Sequence, residues 1–471
     1  MTRGAAAKFL SVILIGIICL MVGHGAAMAE AGSGPVEAGP VAAPTSNPGS
    51  LPATTGGNAV ISSDAERVYA GAKPRLLQVR TLVVDTGQQS TLGSAFIVDP
   101  NGLAITNYHV VSQYALEPKT HRLEYAAPDG SSGPLKLLAI DVINDLAVIS
   151  LDKPGQPYFK FNAAALSGQP LKGKRLYAMG NPLDLGFVIV EGTYNGLVDH
   201  SYNDRIHFSG AINAGMSGGP AVTVDGEVVG INVAKQIGSE LVSFLVPARF
   251  AVVLLDRARS AKPLGVADIR AEISRQLAGW QAGLYDALAH LPAKEVPFGA
   301  YKVPEIEAPW FTCWASTNAD DVPKPLAVQN TMSCNMNAQL FLASEVNTGA
   351  ISYSYTYAKT AELNRFQFSS FLEKQYYLLR LDDGGGRYYT RRFCYENFVQ
   401  AGDPSTTPLT RVVWCAQGYR DFDEVYDVTA MAVTQDRNQE ALVTRVAMKG
   451  VSYPNGVAFV DRFLKGLQWA K

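Results

Sequence analysis

The stretch A-I-N-A-G-M-S-G-G-P, Ala211 to Pro220, sets one serine among three glycines, behind an apolar approach and ahead of a proline. A chain that must present an exposed hydroxyl beside converging backbone N–H groups needs such residues. Gly215 and Gly218 can take backbone angles closed to residues with a Cβ, and they leave Ser217 unobstructed. Gly-Ser-Gly clusters also occur as plain surface turns. A base and an orienting acid elsewhere in a compatible frame would decide between the two readings.

His109 lies in L-A-I-T-N-Y-H-V-V (Leu103 to Val111), after a β-type run and a Thr-Asn turn. Asp145 lies in I-N-D-L-A-V-I (Ile143 to Ile149), leading directly into a buried-type strand. Taken singly, these are an ordinary core histidine and an ordinary strand-end aspartate. With Ser217 they run in the order His, Asp, Ser at intervals of 36 and 72 residues. That is the order of chymotrypsin-type double barrels, not of subtilisins or α/β-hydrolases.

With the texture around each of the three, residues 59–262 resemble the trypsin-like serine proteases, and within them the HtrA/Deg branch of exported bacterial proteases. The stretches that carry the resemblance are G-S-A-F-I-V-D-P-N-G-L-A-I-T-N-Y-H-V-V (93–111), N-D-L-A-V-I-S-L (144–151), M-G-N-P-L-D-L-G (179–186), the serine stretch itself (211–220), G-E-V-V-G-I-N (226–232) and V-S-F-L-V-P (242–247). The absence of cysteine from residues 59–262 fits the same branch. The resemblance implies an all-β protease domain of two six-stranded barrels. It makes Ser217 the nucleophile, His109 its base and Asp145 the orienting acid, with the Gly215 and Ser217 N–H groups as oxyanion hole. It also places Ala211, Ile212 and the Phe244-Leu245-Val246 strand at the primary substrate pocket. An acid at position 211 would select Lys or Arg, so Ala211 points to small or medium aliphatic residues before the cut. Met216 stands where asparagine is usual in the family. The region after Pro263 lacks the texture of the peptide-binding PDZ domain that commonly follows.

Around this core the chain has 471 residues, 47% hydrophobic and 17% charged, the balance of a globular protein. Net charge is −2 with no block of like sign, so neither nucleic acid nor an anionic membrane is an implied partner. Residues 1–29 read as an export signal: two basic residues, an apolar run from Phe9 to Gly23, and Ala27-Met28-Ala29 before Glu30. Cleavage there leaves no membrane anchor and implies a periplasmic or secreted protein. Residues 30–58, rich in Pro, Gly, Ala, Ser and Thr, read as a flexible linker. Short β-type runs follow at Leu76–Val84, Gly93–Val98, Leu103–Thr106, Leu146–Leu151, Leu176–Met179, Phe187–Glu191, Val228–Val233 and Leu241–Val246. Asp225-Gly226 between two such runs signals a hairpin.

Residues 263–292 read as a helical linker. Apolar residues at 269, 273, 277, 280, 284, 288 and 291 give its helix, Asp268 to Leu291, a heptad-spaced seam. That seam suits packing on its own protein, with a dimerising coiled coil as the alternative. Residues 293–471 read as an α+β region. Cys313 and Cys334 are 21 positions apart, as are Cys394 and Cys415, with Pro323 and Pro404 at one offset inside the intervals. This suggests a divergent tandem repeat (305–385 and 386–471) with one disulfide per unit, although four cysteines allow three connectivities. β-type runs at Ile351–Tyr357, Val425–Val433 and Leu442–Met448 precede expected helices at Phe371–Leu381 and Val457–Trp469. No cysteine pair has zinc-site spacing and no histidine follows His290, so no metal or cofactor is implied.

The leading expectation is an exported serine endopeptidase acting on proteins or peptides, with a C-terminal module for substrate or partner binding. The alternative is a catalytically silent protease-like binding or chaperone scaffold in the cell envelope. Oligomer formation stays open.

Overall fold

The computed structural model describes residues 63–169, 171–235, 242–336, 338–343, 346–380 and 386–470. The expected export signal and linker lie outside these residues. Helix α1 (Ser63–Ala72) leads into β1 (Leu76–Val83), β2 (Gln89–Ile97) and β3 (Leu103–Thr106). The β2–β3 turn is closed by Asp99, whose side chain accepts from the Asn101 N–H at 2.9 Å, and by Gly102 at φ +85°. Next come α2 (Tyr108–Leu116), β4 (His121–Ala126), β5 (Ser132–Pro134), β6 (Lys136–Asp141) and β7 (Leu146–Ser150). The seven strands form one antiparallel sheet in the order β5-β4-β1-β2-β3-β7-β6. Only Leu135 separates β5 from β6, so the two edges of this sheet are consecutive in the chain.

The second half begins with the short helix α3 (Ala163–Leu166), then β8 (Arg175–Gly180), β9 (Val188–Leu197), β10 (Ile206–Phe208), β11 (Pro220–Val222), β12 (Val228–Lys235) and β13 (Ser243–Pro247). These strands close into a six-stranded barrel, β10-β13-β12-β11-β8-β9. The β11–β12 hairpin turns at Asp225-Gly226 as its sequence predicts, with Gly226 at φ +76°. A core shared by the two halves packs Phe96, Ile105 and Val148 with Tyr177, Met179, Ile231 and Val246. It is sealed by α4 (Ala248–Ala258) through Ala251, Leu254 and Leu255.

Helix α5 (Val266–His290) ends two residues before Pro292, which cannot continue it. Its seam is used within the chain: Ile269, Ile273 and Leu277 join the core of the first sheet, and Leu284 and Leu288 join that of the C-terminal region. Burying each aliphatic side chain contributes about 1.5–3 kcal/mol. Trp280 sits between these groups, donating from Nε1 to Asn203 Oδ1 at 3.1 Å.

The C-terminal region comprises β14 (Ala293–Phe298), β15 (Tyr301–Ile306), β16 (Phe311–Thr317), β17 (Val328–Met336), β18 (Leu340–Ala343), β19 (Val346–Thr348), β20 (Ile351–Lys359) and α6 (Arg365–Arg380). Then follow β21 (Phe393–Val399), β22 (Thr410–Tyr419), β23 (Phe422–Thr434), β24 (Glu440–Val451), α7 (Tyr453–Lys465) and β25 (Gln468–Trp469). Seven of these strands form one sheet, β16-β17-β20-β24-β23-β22-β21. Disulfides join Cys313 to Cys334 and Cys394 to Cys415. Each links residues directly opposed across a hairpin, and each pins an edge strand of the sheet. Both helices begin earlier than the apolar pattern suggests, because polar caps start them. Asn364 Oδ1 accepts from the Phe366 and Gln367 N–H groups at 3.0 Å, and Ser452 Oγ accepts from Asn455 N–H. Trp469 lies on β25, outside α7. The described residues all belong to one compact unit. Among the described residues no helix is long and apolar enough to cross a membrane.

Candidate active site

His109 lies in the first turn of α2, directly after the β3 strand end and Asn107. Asp145 lies in the β6–β7 turn at φ +59°, a left-handed conformation that aspartate tolerates better than most residues. Asp141 braces that turn, accepting from the Asn144 N–H at 3.0 Å and its side-chain amide at 2.8 Å. Asn107 holds the turn from the other side, donating from Nδ2 to the Asp145 carbonyl at 2.7 Å. The Asp145 carboxylate then grips His109 twice. Oδ1 accepts from the His109 backbone N–H at 2.9 Å, and Oδ2 lies 2.7 Å from Nδ1. A ring fixed at Nδ1 presents Nε2 to the remaining side. Burial works to lower the imidazole pKa, but the charge and hydrogen bond of Asp145 outweigh it, and the shift is upward from the ordinary 6.5.

Ser217 follows a tightly held turn. The Ala214 carbonyl accepts from the Leu183 N–H at 3.1 Å, and a planar trans peptide then directs the Gly215 N–H the opposite way. Gly215 has φ +91°, and its carbonyl accepts from Ser94 Oγ at 2.7 Å. Among the described residues neither the Gly215 nor the Ser217 N–H donates a hydrogen bond. Two backbone donors thus stand unspent at the ends of one Gly-Met-Ser turn, the kind of donor an oxyanion hole uses. A Cβ on Gly215 would collide with the Asn181 carbonyl, and one on Gly218 with the Ser94 carbonyl and Thr106 Oγ1. Ser217 Oγ donates to the Val233 carbonyl at 3.3 Å, and among the described residues no hydrogen bond joins it to His109. Catalytic hydrogen bonds are often loose before substrate arrives.

Two further residues support the site without a sequence signal for that role, and the N-P-L-D loop joins them. Asn232 on β12 donates from Nδ2 to the Met179 carbonyl at 2.9 Å and the Met216 carbonyl at 3.3 Å. Its backbone clamps the same turn through Gly218 N–H and the Gly219 carbonyl, both at 2.9 Å. Ser94 on β2 links the two halves: its N–H donates to the Ser217 carbonyl at 2.8 Å, and its hydroxyl accepts from the Asn181 N–H at 2.9 Å. Leu183 belongs to the N-P-L-D loop and orients the Ala214 peptide. A lone serine or asparagine in an apolar strand carries no sequence signal of such a role. Met216, the departure from the family pattern, is buried in the barrel core with Leu176, Phe208, Ile212 and Leu245. An apolar side chain is what that site accepts.

A cavity of about 830 Å³ opens beside the imidazole, lined by His109, Asp145, Val233 and Phe244 from the protease halves and by Met336 and Phe341 from the C-terminal region. Of the five residues expected at the primary pocket, Phe244 lines this cleft. Ile212 and Leu245 are buried in the barrel core, Val246 is buried in the core between the halves, and Ala211 is exposed. The strand alternation that turns Phe244 outward turns Leu245 inward. Among the described residues no three His, Cys, Asp or Glu side chains cluster as metal ligands.

The family model that matches is the trypsin-like peptidase domain, over residues 93–231, a span containing His109, Asp145 and Ser217. A probable periplasmic serine endoprotease, DegP-like, of Chlamydia pneumoniae is 31% identical over 179 residues, 36% of this chain and 35% of that protein. The mitochondrial serine protease HTRA2 of Drosophila pseudoobscura pseudoobscura is 31% identical over 184 residues, 37% of this chain and 41% of its own length. The chain therefore spans about two-fifths or less of the curated relatives it matches. Among solved structures, the serine endoprotease of Yersinia pestis matches with a TM-score of 0.37 and 25% identity, covering 42% of this chain and 67% of that one. Residues 93–231 of this chain are a trypsin-like peptidase domain, similar to those of DegP- and HtrA-type serine proteases.

Proposed function

We propose that the protein is an exported serine endopeptidase that cleaves protein substrates through an acyl-enzyme on Ser217. The observation that carries this reading is the double grip of Asp145 on His109, at 2.9 and 2.7 Å, together with a serine turn whose Gly215 and Ser217 N–H groups are unspent. The reaction requires Ser217 Oγ to leave the Val233 carbonyl, by rotation about Cα–Cβ, and to donate to His109 Nε2. Oγ then bonds to the scissile carbonyl carbon while its proton passes to Nε2. The carbonyl oxygen, now negative, is held by the Gly215 and Ser217 N–H groups, each such donor being worth about 100- to 1000-fold in turnover. The C–N bond breaks as Nε2 returns its proton to the leaving amine. Water, deprotonated by the same nitrogen, releases the acid and restores the serine.

A preference for small or medium aliphatic residues before the cut is supported by the uncharged Ala211 and by Phe244 on the cleft wall. Export is supported by residues 1–29, by two disulfides, which persist in oxidising compartments, and by relatives named periplasmic. The double-barrel reading is supported in the first half by β5 and β6, a nearly continuous strand that pairs with β4 at one end and β7 at the other. The repeat reading is supported by two disulfide-linked hairpins at opposite ends of one sheet, with one helix in each unit.

The test is incubation of an unfolded protein substrate with wild type and Ser217→Ala, followed by mapping of the new termini. Cuts after Val, Ala or Ile that vanish in the variant are expected. Cuts after Lys, Arg or Glu would overturn the specificity, and no cuts at all would favour the silent scaffold.

A further inference from the structure

The β18–β19 hairpin belongs to the C-terminal region by sequence, yet it is built into the protease. Leu340, Leu342, Ala343 and Val346 are buried in the core of the first sheet, with Tyr108, Val111 and Leu116 of the helix that carries His109. The buried Tyr108 hydroxyl donates to the Leu342 carbonyl at 3.0 Å, and burial pushes that phenol's pKa far up, so it stays a donor. At the other end, Gly349 N–H donates to the Lys449 carbonyl at 2.9 Å, which ties the hairpin to β24 of the large C-terminal sheet. Gly349, at φ +75°, packs so closely on Trp280 of α5 that a Cβ there would lie 2.9 Å from the indole. These contacts tie Leu342 to the helix that carries His109 and Gly349 to the large C-terminal sheet.

Phe341 projects from the hairpin onto the active site. Its ring meets the His109 imidazole edge-on, centroids 5.6 Å apart and planes at 64°. At that spacing the rings are in contact and no substrate atom fits between them. Met336, Val142 and Ile143 line the same cavity as Phe341 and His109. A peptide whose carbonyl lies over Ser217 must bring a side chain flanking the scissile bond past this imidazole, where Phe341 takes part of the surface.

We infer that Phe341 is a specificity-determining residue: it limits the substrate side chain that lies against His109 to a small or aliphatic one, so that the C-terminal region completes a substrate subsite of the protease domain. This rests on the endopeptidase reading above. It differs from the primary pocket in that the position concerned is the one beside the histidine, and the wall comes from outside the matched domain.

The experiment uses full-length, disulfide-intact wild type, Phe341→Ala and Phe341→Trp with peptides varied one position at a time around the cut. The readout is the ratio of kcat/KM for an aromatic to that for alanine at each position, so a general loss of active protein cancels. In Phe341→Ala this ratio rises at one flanking position by about tenfold or more, within the range that side-chain size commands in an apolar pocket, and in Phe341→Trp it falls there. Ratios that stay at wild-type values at every position in both variants would overturn the inference and leave the protease reading standing. Wild type that cleaves nothing would overturn both.

Discussion

At the scale of single residues, Asp145 decides what His109 can do. Its carboxylate raises the imidazole pKa, and the neutral imidazole is the form that can take the Ser217 proton. Activity, followed as kcat/KM against pH, should rise with a midpoint above the ordinary 6.5. In Asp145→Asn the raising charge is gone, so the midpoint moves down while turnover falls by about 10⁴-fold through loss of the correct tautomer. A profile flat across about pH 5 to 8 would contradict the role given to His109. The same upward shift has a stability consequence: its contribution is fully present below the unfolded value and is lost as pH rises through the folded one. The three residues of the proposed triad are legible in the sequence, because their types stand in a known order with glycines at the serine. Ser94 and Asn232 are not, since their roles depend on which backbone groups a distant strand brings near.

At the scale of elements, α5 and the β18–β19 hairpin carry the join between the protease halves and the C-terminal region. The seam of α5 was legible as a heptad-spaced pattern, but periodicity says only that one face is apolar, not what covers it. The structure covers it with the first sheet near Leu277 and with the C-terminal core near Leu284. Leu277→Ala should therefore cost about 2–5 kcal/mol of stability, seen as a lower urea midpoint independent of protein concentration. A midpoint that varies with concentration would point instead to a seam used between copies of the chain. The hairpin gave no comparable signal. Its strands are four and three residues long, and Phe341 meets a histidine more than two hundred positions earlier.

At the scale of the whole molecule, motifs along the protease half made its fold class readable, while the C-terminal region had only its cysteines and alternation to offer. The paired 21-residue spacings were enough to anticipate both disulfides, but not that both hairpins belong to one seven-stranded sheet. The β18–β19 strands beside that sheet pack on the first-sheet core and set Phe341 against His109, which brings the C-terminal region to the candidate active site. The central claim, that Ser217 is an activated nucleophile, is tested most directly by reaction with a fluorophosphonate and mass mapping of the adduct. The account predicts one adduct, on Ser217 in wild type, absent in Ser217→Ala and formed far more slowly in His109→Ala. Correctly folded wild type that takes up no label, at a pH where His109 is neutral, would contradict it.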